Sequence, residues 1–99
     1  MVKNIQFVEV YNVSGTGTIR DYAVRAVYIN PDHVVCMRED TRAQQLLQEG
    51  HFPKDLDARQ QFTNITMNKG TYGQEITVVG VLSDVHQRLF RDNRILLRG

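Results

Sequence analysis

The chain has 99 residues, 41% of them hydrophobic and 23% charged, with twelve Lys and Arg against eleven Asp and Glu. That is the size of one domain, residues 1–99, and the composition excludes wholesale disorder. A formal charge of +1 excludes a whole-molecule field that would draw the protein onto long nucleic acid or a membrane.

Cys36 is the single cysteine, so no intrachain disulfide can form and nothing points to an oxidising compartment. Its apolar setting, Val34-Val35-Cys36-Met37, predicts a small buried thiol. The first residues are broken by Asn4, Gln6 and Glu9 and do not read as a signal peptide. No apolar run approaches the roughly 18 residues of a membrane span. The expected location is the cytoplasm, or the host cytoplasm for a virus-encoded chain.

Ile5, Phe7, Val8 and Val10 predict a first short strand. Ser14 to Thr18 reads as a flexible turn. Arg20 to Ile29 is the clearest strand. Tyr22, Val24, Ala26 and Tyr28 share one face and Ala23, Arg25, Val27 and Ile29 the other. Two mostly apolar faces place this strand at the centre of a sheet or under a partner. Asn30-Pro31-Asp32 is a turn, because proline presets φ and Asn and Asp bond nearby backbone. Val34 to Arg38 is the next strand.

Thr41 to Glu49 switches to helix formers, with Asp40 or Thr41 as N-cap and Gly50 at the left-handed position after the helix. Lys54 to Gln61 is polar, a loop or single turn anchored by Leu56. Phe62 to Asn68 and Gln74 to Gly80 read as a hairpin around Asn68-Lys69-Gly70. Ser83 is the expected cap of a last helix carrying Val85 and Leu89, with Leu82 and Phe90 beside them. Asp92-Asn93 should end it, leaving Arg94 to Leu97 as a closing edge strand. The fold class is therefore α+β: a mostly antiparallel sheet of about five strands with two short helices.

The chemistry-bearing residues do not converge. His33, His51 and His86 lack metal-ligand spacing, so neither a metal nor another cofactor is expected. Gly15-Thr16-Gly17 lacks the third glycine of a dinucleotide loop and enters a strand. The acidic pairs Glu39-Asp40 and Asp55/Asp57 lie in polar stretches. The expectation is a protein without enzymatic activity.

The strongest positive signal is the basic C-terminal segment. Arg88, Arg91, Arg94 and Arg98 face only Asp92 in the last fourteen residues, a balance of +3. Arginine offers a planar fork matched to phosphate. Arg88 and Arg91 would clamp an anion, joined by Arg94 and Arg98. Tyr72 or Phe62 would stack on a base, and Asn68 would read its edge. The alternative is a solubilising surface. The other signal is surplus apolar surface: Tyr22 to Ile29 and Ile95-Leu96-Leu97 predict a homo-oligomer.

Two segments resemble the small FlbD-type proteins of bacterial flagellar operons. Tyr28-Ile29-Asn30-Pro31-Asp32-His33-Val34-Val35 is similar to that family's strand–Asn-Pro–strand element. Asn64 to Gly70, followed by Ile76 to Gly80 and Val85-His86, is similar to its strand–Asn-x-Gly–strand–helix close. The resemblance spans about a third of the chain, and Thr41 to Gln61 is an insertion relative to it. It implies a small β-rich accessory protein without enzymatic activity; as a protein–protein adaptor it would use the exposed sheet edge or the Ala43/Leu46/Leu47 helix. A looser analogy links size, a β-rich plan, self-assembly and the arginine-rich end to phage-encoded sponges of nucleotide immune signals, such as the anti-Thoeris type; no motif carries it. The reading favoured by the residues is a homo-oligomeric protein that sequesters a nucleotide-like anion, in the manner of a phage-encoded anti-defence sponge; the alternative is the FlbD-like adaptor.

Overall fold

A computed structural model describes residues 4–13, 22–69 and 72–98, with the backbone alone for Lys69, Tyr72 and residues 92–98. The Ser14 to Thr18 turn and Gly70 lie outside the described residues. The elements are β1 (Ile5–Asn12), β2 (Tyr22–Ile29), β3 (Val34–Glu39), α1 (Thr41–Gln48), β4 (Phe62–Lys69), β5 (Tyr72–Val79) and α2 (Leu82–Arg98), with a 3-10 turn at Pro31–His33. The strands form one antiparallel sheet in the order β2-β1-β5-β4-β3. The α+β class read from the sequence is the one observed.

Local chemistry explains the boundaries. The Asn30 side chain accepts from the Asp32 amide at 2.9 Å, fixing the Pro31 turn. Asp40 caps α1 by accepting from the Ala43 amide at 2.9 Å. Gly50, at φ +85, closes the helix. Its amide donates to Leu47 O at 3.1 Å and that of His51 to Leu46 O at 3.1 Å, the paired bonds of a Schellman motif. Gly80, at φ +135, joins β5 to α2 where a Cβ would meet Val85 Cγ2 at 3.2 Å.

Strand alternation sends side chains to two faces, and each helix covers one. On one face Phe7, Ile29, Ile65, Ile76 and Val78 pack with Val85 and Leu89 of α2. On the other Val10 and Phe62 pack with Ala43 of α1 and with Phe52 of the following loop; Leu56 anchors that loop as expected. Phe52 lies 5.1 Å from Tyr22 and 5.4 Å from Phe62 between ring centroids. Thr63, fully buried, donates its hydroxyl to Gly80 O at 3.0 Å.

The structure corrects five expectations. Strand β2 is an edge strand, not a central one. No closing strand forms at Arg94 to Leu97: α2 runs on to Arg98. Asp92-Asn93 does not end the helix. The irregularity falls at Phe90 (φ −119°, ψ 19°), and the Arg and Leu positions beyond it are good helix formers. Ser83 lies inside the first turn rather than at the cap, since α2 begins at Leu82. Cys36 is half-buried, because an edge strand leaves one flank open.

Candidate functional site

Among the described side chains, Arg88, Phe62 and Asn68 do not meet at one place. Arg88 sits on α2 beside β1. Its guanidinium lies 4.3 Å above the Phe7 ring centroid and donates from Nη2 to the Gln6 carbonyl. It is thus committed to holding α2 against the sheet. Arg91 is exposed on the same helix. Arg94 and Arg98 occupy later positions of α2. Phe62 is 2% exposed and belongs to the core between the sheet and α1, on the face away from α2. Asn68 is exposed near the end of β4, in a hollow of about 420 Å³ shared with Tyr28, His33 and Gln74. Tyr72 stands opposite Lys69 in the β4–β5 hairpin.

A larger concavity than the Asn68 hollow lies elsewhere. A cleft of about 740 Å³ runs between β3, the other edge strand, and α2. Val34, Val35 and Met37 come from β3. Val81, Leu82 and Phe90 close the opposite wall. Glu39, Gln61, Ser83 and His86 add polar groups, and Cys36 lies on the β3 side. The His86 and Phe90 rings are 5.2 Å apart, one helical turn from each other on that wall. Among the described residues, no arginine lines the cleft.

Its edge strand is interrupted. The β3–β4 register shifts between Val34 and Cys36, and Val35 at this bulge is 63% exposed. The Cys36 thiol is polarised by its neighbours: a hydrogen bond with Thr66 first, then one from Arg38 Nη2 at 3.5 Å, hold its pKa below the ordinary thiol value. Among the described residues, no group of three or more His, Cys, Asp and Glu is arranged to hold a metal ion. His33, His51 and His86 sit in the 3-10 turn, after α1 and on α2. Among the described residues, no helix is long and apolar enough to cross a membrane.

Sequence reasoning missed this cleft because its walls lie more than forty positions apart in the chain. Two signals were there. Four consecutive apolar residues, Val34 to Met37, exceed what a half-buried strand requires. Leu82, His86 and Phe90, spaced by four, form a second stripe beside Val85 and Leu89. Comparison of the chain with protein-family models, curated proteins and solved structures returns no match.

Proposed function

We propose that the protein is a non-enzymatic binding module that receives an amphipathic helical segment of a partner protein in the cleft between β3 and α2. The supporting observation is the makeup of that cleft: an apolar floor of Val34, Met37, Leu82 and Phe90, with Glu39, Gln61, Ser83 and His86 as polar groups. An apolar centre with a polar surround is the anatomy of a protein interface. The bulge at Val35 breaks the edge that an added strand would need, so a helix fits the groove better than a strand. Glu39, the one carboxylate of the lining among the described residues, favours a basic residue on the incoming segment. This is the adaptor role that the FlbD resemblance implies.

A photo-crosslinking residue at Val35 tests it. The expected product is a covalent adduct with one polypeptide, mapped to a segment with apolar residues three and four apart, lost in Leu82→Asp and retained in Arg91→Ala. Adducts scattered over many unrelated segments, or unchanged by Leu82→Asp, would overturn the proposal.

Capture of a nucleotide-like anion keeps a separate footing. Beyond the bend at Phe90, Arg91, Arg94 and Arg98 recur at intervals of three and four along α2, which places them on one helix face. A rise in melting temperature with nucleotides, abolished by replacing these three with alanine, would favour that reading over the cleft.

A further inference from the structure

Strand β2 ends the sheet, and its outer side pairs with no strand among the described residues. Edge strands are ordinarily defended by proline, lysine, a bulge or a short length. Strand β2 has none of these defences. It runs eight residues, Tyr-Ala-Val-Arg-Ala-Val-Tyr-Ile, in unbroken register with β1 from Asn12↔Tyr22 to Ile5↔Ile29. Its one charge leans back onto β1, away from the open edge, although the Arg25 side chain stays 56% exposed. Arg25 Nε donates to Glu9 Oε1 at 2.9 Å, and the guanidinium lies 3.9 Å over the Tyr11 ring, both on β1. The opposite edge is different: β3 carries a bulge and ends in Arg38-Glu39.

The side chains beside this edge are apolar and open. Tyr28 is 65% exposed, Val8 43% and Val24 38%, and Ala26 is exposed between them. All four stand on the face that α1 covers only in part, as the pairings Val8↔Ala26 and Val10↔Val24 show. A patch of this kind beside an undefended strand edge suits a partner that supplies both a strand and apolar side chains.

We propose that the occupant is β2 of a second copy, paired antiparallel about a two-fold axis normal to the sheet. Such an axis keeps like faces together, so only registers centred on a residue of β2 preserve the pleat. Two of them use seven residues of the strand. Centring on Arg25 sets two like charges directly opposite each other, which is unfavourable. Centring on Ala26 puts the smallest side chain at the axis. It sets Val24 of each copy opposite Tyr28 of the other, and Arg25 opposite Val27. Aromatic against β-branched is a favourable cross-strand pair. Charge therefore selects the Ala26 register, and the two sheets become one of ten strands. The inference concerns the edge opposite the cleft and stands independently of what the cleft binds.

Sedimentation and targeted crosslinking test it on the full chain. The protein should sediment as a dimer, and Tyr28→Lys should shift dimerisation to roughly tenfold higher concentration or more while leaving the circular dichroism spectrum unchanged. In a Cys36→Ser background, Ala26→Cys should join to itself through a short bis-maleimide. Pairing at the axis raises the local concentration, so this should run roughly 100-fold faster than Val35→Cys, an exposed site on the far edge. A chain that stays monomeric up to millimolar concentration overturns the proposal. So does a dimer that crosslinks through Val35→Cys as fast as through Ala26→Cys.

Discussion

Arg88 and Arg91 lie three residues apart on α2, yet replacing them with alanine should have different consequences. The Arg88 guanidinium rests 4.3 Å above the Phe7 centroid and donates to the Gln6 carbonyl. A cation over an aromatic ring at an exposed site contributes about 0.5–1 kcal/mol. A hydrogen bond from a charged donor adds a comparable amount once solvent and side-chain entropy are discounted, so Arg88→Ala should cost about 1–2 kcal/mol. For a domain of this size that is a fall of roughly 10 °C in Tm. Arg91 is exposed, and Arg91→Ala should stay within about 0.5 kcal/mol of the parent. Thermal unfolding followed by circular dichroism, with urea titration to confirm an unchanged slope, measures both. A neutral Arg88→Ala, or an equal loss from Arg91→Ala, would refute the assignment of Arg88 to the α2–β1 contact. The same arithmetic bears on anion capture. A ligand that recruited Arg88 would first detach it from Gln6 and Phe7, which weakens apparent affinity about tenfold for each 1.4 kcal/mol.

Two further outcomes follow from single contacts. Asp40 bonds the Ala43 amide through Oδ1 and accepts from Thr77 Oγ1 through Oδ2 at 2.7 Å, tying the cap of α1 to β5. Asp40→Ala should cost about 2 kcal/mol, the loss of a helix cap plus an orphaned hydroxyl, and Thr77→Val about 1 kcal/mol. A double-mutant cycle should give a loss for the pair smaller than the sum of the singles. The Cys36 thiol, with its pKa held down first by Thr66 and then by Arg38, should be alkylated at lower pH than a free cysteine. Because the folded-state pKa is the lower one, the associated stabilisation is present above the unfolded thiol's pKa and fades as pH falls through the folded value. Thr66→Val should move the midpoint of the alkylation–pH profile upward more than Arg38→Ala does.

What the sequence disclosed was mostly local. Asp40 and Gly50 mark the ends of α1 because cap and left-handed residue act within a few positions. Asn30-Pro31 marks its turn for the same reason. The two-faced apolar pattern of Tyr22 to Ile29 was ambiguous, since a central strand and an unprotected edge show the same alternation. Only the order of strands distinguishes them, and that is set by long-range pairing such as Val10↔Thr77. Arg94 to Leu97 was ambiguous too: four residues are too few to separate a strand period from a helical one. Phe62 looked available for stacking because an aromatic at a strand start carries no mark of which face it takes. Its neighbour in space, Phe52, comes from the polar loop between α1 and β4, where no alternation marks a buried face.

The two edges of the sheet divide the proposed binding surfaces. Strand β2 offers an undefended backbone edge, and β3 a bulged edge beside an apolar cleft, with β1, β5 and β4 between them. A dimer joined through β2 leaves both clefts outermost. Nine strand spacings then separate the two β3 strands, about 43 Å along the sheet before twist is counted. Two clefts at that span would engage two copies of a helical segment on one partner assembly, and the second engagement would be intramolecular. Weak binding at each cleft would then suffice for tight capture. In that arrangement Tyr28→Lys, although remote from the cleft, should weaken binding to a multivalent partner far more than binding to a single free segment. Equal weakening of both would mean that the edge and the cleft do not act together.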